Sequence, residues 1–422
     1  MAHAEATAGP GRTAGPGRTA RTGRTTAARM AHVAESPIGS ILRFAEGPEF
    51  HSLAAGSPAP ELFAPEAVAA AAARLLGDGA ALQYGDTTGF LPLREWIADR
   101  EARGERSTRP DASGVVLTHG SQQALDLVCK ALLDPGDAVV VDDPSYVGAL
   151  QVFRLFQADV VPVPLADDPE LAALEEALTE GLRPRFLYVV ADFSNPTGSR
   201  LSVRQRARLA ELADRYGFLL VEDDPYGDLD YGDAPRPPPL ASFSDRVIRL
   251  GSFSKVLFPA ARLGYLVSPA PLAPAFHTLK QAADLGNSAF MERLVHALVS
   301  EPGYLEARIA AARTLYRGRR DALVTAVREQ FGRDLAFRVP DGGFFLWARL
   351  ADSADAEALL RRAVGEKVSF VPGAAFYGRT GDRSTLRLSF SAVPAEAMEE
   401  AVVRLRTAWC GGRRGNSDIG EQ

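Results

Sequence analysis

The fold is decided by residues 186–226, FLYVVADFSNPTGSRLSVRQRARLAELADRYGFLLVEDDPY. Phe186–Val190 is a short run of apolar and aromatic residues, the composition of a buried strand. Ser202 and Gln205 have the spacing of an N-terminal capping box, in which each side chain satisfies a backbone N–H that the helix leaves free. Leu209, Leu212, Ala213 and Tyr216 then fall at i, i+3, i+4 and i+7 on one face, and Gly217 ends the helix. Phe218–Val221 opens a second apolar strand. A helix between two strands that are apolar on both faces predicts a mostly parallel sheet with helices on both sides.

Outward from this unit, β-rich runs at Gly136–Val141, Val160–Leu165 and Val247–Leu250 continue the alternation. The pattern changes after about residue 300. Helical periodicity covers 302–331, then a strand-like Gly343–Ala348 and a helix at Ala354–Val364 follow. Strand-like runs at Val368–Val371 and Thr385–Phe390 and a last helix at Ala395–Trp409 complete an α+β arrangement. The predicted organisation is a disordered basic tail at 1–35, a segment at 36–75 joining the smaller domain, and a large α/β domain at 76–310. A small C-terminal domain at 311–410 and a frayed tail at 411–422 complete it.

The totals agree with this division. At roughly 150 residues per domain, 422 residues suit a large α/β domain with a smaller partner. The 53 acidic and 47 basic residues give a net charge of -6, which argues against a nucleic-acid binder. Two cysteines, Cys129 and Cys410, are too few for a disulfide framework and point to a reducing cytoplasm. No apolar stretch approaches the ~20 residues that span a bilayer. Residues 1–29 carry the sequence Ala-Gly-Pro-Gly-Arg-Thr twice and five arginines against Glu5, a composition that buries no core. Met30-Ala31-His32 repeats the first three residues and offers Met30 as an alternative start. The six histidines show no ligand spacing, so no metal is expected.

Open α/β sheets bind ligands beyond the carboxyl ends of their strands. Polar clusters are expected there. Ser252-Phe253-Ser254-Lys255 follows Val247–Leu250, Asp223-Asp224-Pro225-Tyr226 follows Phe218–Val221, and Asn195-Pro196-Thr197-Gly198 follows Phe186–Val190. Thr118-His119-Gly120-Ser121-Gln122-Gln123 precedes a helix expected to run from Gln123 to about Leu133. Each alone reads equally well as a turn, a helix cap or chance; their order at one end of one sheet is far more specific.

In that conjunction the chain resembles the class I/II aminotransferases of pyridoxal-phosphate (PLP) fold type I. The likeness is strongest to the aminoadipate/kynurenine aminotransferase branch and to the aminotransferase-like half of MocR regulators. It extends from about Ser36 to Trp409 and includes Ala55-Gly56-Ser57-Pro58, Leu82-Gln83-Tyr84-Gly85, Gly342-Gly343-Phe344-Phe345, Val371-Pro372-Gly373 and Arg387-Leu388-Ser389-Phe390. The resemblance implies that Lys255 holds PLP as a Schiff base and moves the substrate α-proton. Asp223 would keep the pyridine nitrogen protonated, Asn195 and Tyr226 would bond the ring oxygen, and Tyr146 would stack on the ring. Ser121 and Gln122, at a helix N-terminus, would hold the phosphate with Ser252, Ser254 and Arg262. Tyr84 would reach the phosphate of a second subunit, which implies a homodimer. Arg387 would clamp the substrate carboxylate, with Asn195 and Gly56 beside it.

The implied reaction is ping-pong transfer of an α-amino group between an amino acid and a 2-oxo acid. An alternative is a non-transaminating PLP enzyme, catalysing elimination, replacement, decarboxylation or oxidation, because the cofactor breaks the bonds on this scaffold. A regulator is disfavoured, since the ~35 residues before the domain are too few for a winged helix. The branch reads Pro-x-x-Gln before Asn-Pro-Thr-Gly, where this chain has Ala191-Asp192-Phe193-Ser194; Leu305-Glu306-Ala307 also replaces a usual His. Ile38, Ile41 and Leu42 in the segment Ile38–Phe44 favour an apolar or mixed substrate side chain, with Arg43 able to meet an acidic one.

Overall fold

The helix that anchors the reading forms with its caps. Ser202 Oγ accepts the Gln205 N–H, Gln205 Oε1 accepts the Ser202 N–H, and Gly217 closes Val203–Tyr216 with a left-handed φ of 78°. The computed structural model of the chain describes residues 26–33, 39, 41, 47, 49–77, 79–102 and 110–417.

The strands, in chain order, are β1 (His51–Ser52), β2 (Val115–Thr118), β3 (Ala138–Asp142), β4 (Asp159–Val163), β5 (Phe186–Val189) and β6 (Leu219–Asp224). They continue with β7 (Val247–Ser252), β8 (Gly264–Val267), β9 (Leu335–Phe337), β10 (Phe345–Leu350), β11 (Val368–Ser369), β12 (Val371–Pro372) and β13 (Thr385–Ser389). The large sheet has seven strands in the order β2-β8-β7-β6-β5-β3-β4. Its pairs are parallel except that β8 runs against both β2 and β7. A four-stranded antiparallel sheet, β12-β13-β10-β9, forms the second, smaller unit, and β1 pairs with β11 beside it.

Alternation along β5 shows why the large sheet reads as apolar throughout. Phe186 and Tyr188 join the cluster shared with Val128, Phe153 and Phe344. Leu187 and Val189 join the opposite one, built with Leu174, Leu209 and Leu212 of the covering helices. Burying each such side chain contributes about 1.5–3 kcal/mol, and doing so on both faces requires the helical layers.

Several boundaries differ from the sequence reading. Strands β2 and β8 were not predicted, because four-residue apolar runs carry little periodicity. The pair Asp223-Asp224 ends strand β6 instead of following it, and Ser252 is the last residue of β7. Val368–Val371 breaks into β11 and β12, which belong to different sheets. The strand expected from Gly343 begins at Phe345, since Gly343 has φ 71°. The 28-residue helix Tyr304–Phe331 runs unbroken through the expected domain boundary at 310, with Leu305, Ile309, Ala312, Tyr316 and Leu323 on its buried face. Within the tail expected to be disordered, Ala28–His32 forms a 3-10 turn. The last helix continues to Ser417, past both Trp409 and the predicted fraying point.

Candidate active site

Sheet direction assembles the site. The carboxyl ends of β2, β5, β6 and β7 lie on one edge, and the antiparallel β8 brings its amino end, Gly264, to the same edge opposite Thr118 and Ser252. A pocket of about 270 Å³ opens there. Every site residue expected from the sequence lines it except Tyr84: Gly56, Ser121, Gln122, Tyr146, Asn195, Asp223, Tyr226, Ser252, Ser254, Lys255, Arg262 and Arg387. Tyr84 stands outside this pocket with 90% of its surface exposed. Of Ile38–Phe44, residues Ile38, Leu42 and Arg43 lie outside the described residues, while Ile41 is buried against Val147, Val371 and Phe376.

One end of the pocket is built for an anion. Gly120–Leu132 is a helix whose first turn, holding Ser121 and Gln122, presents backbone N–H groups and the positive end of the dipole. Arg262 takes the left-handed conformation, φ 46°, after a 3-10 turn, and donates from Nη2 to the His119 carbonyl at 3.3 Å. A Cβ on Gly120 would stand 3.1 Å from that guanidinium, so the glycine admits the arginine to the helix end. The Gln122 side chain is occupied otherwise: Nε2 donates to the Gly148 carbonyl at 3.1 Å and Oε1 faces the Tyr146 hydroxyl at 3.4 Å. Gln122 therefore offers an anion its backbone and props Tyr146 with its side chain.

The pleat of β6 separates the two aspartates. Asp223 faces the pocket, and its Oδ2 accepts the Tyr188 hydroxyl proton at 2.8 Å. Its Oδ1 is buried without a partner. Burial pushes the Asp223 carboxyl up to about 7, against the Tyr188 hydrogen bond, which lowers it. Glu222 and Asp224 face the other side, toward Arg249 on β7. Burial alone would raise Asp224, but Arg236 and Arg249 outweigh it and hold that carboxylate below its ordinary range.

Lys255 points into the pocket from beyond β7, with Nζ donating to the Gly56 carbonyl at 2.9 Å. Burial, with help from Arg387 and Arg262, lowers its pKa to about 8. Arg387, on β13, is 2% exposed and donates to Asn195 Oδ1 at 2.7 Å and to the Ala54 carbonyl at 2.6 Å. Its guanidinium lies 4.1 Å from the Phe345 ring centroid, and its Nε is unpartnered. Tyr226 is buried against Phe344 and Phe345, and burial raises its phenol above the usual range.

Sequence reasoning missed Tyr188 and Gly120, and it left Phe345 without a role. Tyr188 sits mid-strand, where an aromatic reads as core; only the pairing of β5 with β6 places it beside Asp223. Among the described residues, no group of three or more His, Cys, Asp and Glu side chains is placed to hold a metal ion, and no helix is long and apolar enough to cross a membrane.

Known proteins of one family resemble this chain in sequence and in fold. Residues 50–405 match the family described as aminotransferase class I and II. The 2-aminoadipate transaminase of Thermus thermophilus is 40% identical over 89% of this chain and 94% of its own length. Aromatic-amino-acid aminotransferase 1 of Thermococcus litoralis is 38% identical over 88% of this chain and 90% of its own. The crystal structure of the T. thermophilus α-aminoadipate aminotransferase complexed with N-(5'-phosphopyridoxyl)-L-leucine superimposes with a TM-score of 0.84. It is 38% identical, over 92% of this chain and 97% of that one. These likenesses support PLP-dependent transamination and do not favour the non-transaminating alternative.

Proposed function

We propose, on the premise that this chain belongs to the class I and II aminotransferases and is a PLP-dependent transferase, that the pocket around Lys255 is where it holds PLP and exchanges the amino group of an α-amino acid with a 2-oxo acid. The observation that carries this reading is the convergence in one pocket of the Lys255 amine, which donates to the Gly56 carbonyl, with two residues that each keep a buried unpartnered atom, Asp223 at Oδ1 and Arg387 at Nε. The residues fit the cofactor. Lys255 Nζ would hold it covalently, the bare Asp223 oxygen suits a pyridinium N–H, and the helix end with Arg262, Ser252 and Ser254 suits the phosphate. Tyr146 would cover one face of the ring, and Asn195 and Tyr226 its oxygen.

When bound, PLP supplies an electron sink for the bond broken at the substrate α-carbon. The chain's residues do the rest. Arg387 and Asn195 hold the carboxylate and set the orientation of the Cα–H bond, and Lys255 Nζ, held near neutrality by burial, carries the α-proton. Burial works against the charge on Asp223, the Tyr188 hydrogen bond works for it, and a protonated ring nitrogen beside the carboxylate would stabilise that charge further. Tyr146, which lines the pocket, backs onto the buried apolar cluster of Ile41, Val147 and Phe376, and this side suits an apolar or mixed donor side chain. Tyr84, exposed on this chain, would complete the site of a second subunit in a homodimer of the cytoplasm.

The deciding experiment mixes the purified protein with single amino acids and follows the visible absorbance. Conversion to the pyridoxamine form with release of a 2-oxo acid is expected. Ammonia, CO2 or peroxide without any need for an oxo-acid acceptor would overturn the assignment.

A further inference from the structure

Asp192 takes no part in the chemistry proposed above, yet it is only 1% exposed and three guanidinium groups converge on it. Its Oδ1 accepts from Arg206 Nη2 at 2.7 Å and lies 3.0 Å from Arg200 Nε. Its Oδ2 accepts from Arg236 Nη2 at 2.9 Å and Nε at 3.1 Å. Each arginine has a second attachment. Arg206, itself fully buried, donates to the carbonyls of Ala191 at 3.0 Å and Leu201 at 3.1 Å, closing both ends of the loop that carries Asn195. Arg236 Nη2 also reaches Asp224 Oδ2 at 2.6 Å, on the strand that carries Asp223. Arg200 Nη2 reaches Asp230 Oδ2 at 2.5 Å, and Asp230 bridges to Gly342 in the turn before Phe345.

One carboxylate therefore ties the Asn195 loop to the Asp223 strand and to the turn that leads to the ring beneath Arg387. The space for this is built in. A Cβ on Gly227 would lie 1.8 Å from Arg236 Nη2, so that arginine reaches its two carboxylates only past a glycine. We propose that Asp192, working through Arg236, is a positioning residue that fixes Asn195 relative to Asp223 and Arg387. Its role rests on the reading of Asn195 as a contact for cofactor and substrate. Asn195 Oδ1 already orients the Arg387 fork at 2.7 Å, so a shifted loop turns the carboxylate clamp and releases the ring oxygen together.

The test uses the PLP-loaded enzyme with Arg236→Gln, Arg236→Lys and Asp192→Asn. Arg236→Gln is expected to raise KM for the amino donor and lower kcat/KM by about tenfold to a hundredfold, the usual consequence of a displaced reacting group. It should also shift the pH midpoint of the visible cofactor band. Arg236→Lys should fail to restore either, because an ammonium cannot fork between two carboxylates. In a cycle with Asn195→Ala the Arg236→Gln loss should largely vanish, since the arginine acts through that residue. A lower melting temperature with an unmoved midpoint and unmoved KM would overturn the proposal, as would additive losses in the cycle. Should Asp192→Asn fail to fold, Arg236→Gln decides alone, its side chain being 30% exposed. If the wild type showed no visible band, the cofactor reading would fall. Amide exchange across 191–201 would then judge the tether, unchanged protection in Arg236→Gln sinking it.

Discussion

Replacing Arg387 with alanine tests its proposed role as the substrate clamp. A guanidinium has five N–H donors, and two of Arg387's are committed to Asn195 Oδ1 and the Ala54 carbonyl. The remaining donors include the bare Nε in a pocket where the residue is 2% exposed, so solvent screens the pair little. Losing a buried charge-assisted pair costs about 2–5 kcal/mol. At ~1.36 kcal/mol per tenfold, that is about 30- to 5000-fold in kcat/KM. KM should rise and kcat fall together, because binding and orientation are lost at once. The assay compares an α-amino acid with the amine of the same side chain that lacks the carboxylate. Wild type should prefer the acid by the factor above, and Arg387→Ala should erase the preference while leaving the slow amine reaction nearly unchanged. Equal losses on both substrates would refute the clamp and leave Arg387 as a strut for Asn195 and Ala54. Arg387→Gln, which keeps donors for those two partners, separates the outcomes if the alanine variant is unstable.

Borohydride should fix PLP on Lys255, and Lys255→Ala should lose both the covalent link and nearly all turnover; a labelled peptide bearing another lysine would contradict this. Because a depressed pKa leaves the amine neutral only above about 8, uptake of PLP by the cofactor-free protein should rise through that pH and then level off, measured as growth of the visible band. A rise delayed to the ordinary lysine range would show that burial does not tune Lys255. Asp223→Ala should slow α-proton removal, read by isotope exchange, with little loss of stability. Asp224→Ala should instead lower the melting temperature, since Arg236 and Arg249 each lose one carboxylate while keeping Asp192 and Glu222, at a cost of about 1.5–3 kcal/mol for each charged hydrogen bond lost. Inactive Tyr84→Phe and Lys255→Ala chains should partly complement when mixed; an active monomer at assay concentration would exclude the shared site.

What the sequence determined by itself was local. A capping box, a 3.6-residue apolar face and a closing glycine specify Val203–Tyr216 without reference to the rest of the chain. Polar clusters just past apolar strands were legible as a site because parallel strands bring their carboxyl ends to one edge whatever their order. That logic located Ser121, Asn195, Asp223 and Lys255 on separate strand ends of one pocket. Only the tertiary structure decided what depends on direction and pairing. The reversal of β8 sets Arg262 at the same edge, and the register of β5 against β6 puts Tyr188 on Asp223. The pleat assigns Asp223 to the pocket and Asp224 to the arginines. Asp192, a mere departure from pattern in the sequence, became a buried anchor because arginines 8, 14 and 44 residues away fold onto it. Such pairings are set by packing between elements distant in the chain, and the spacing of residues along it carries no trace of them.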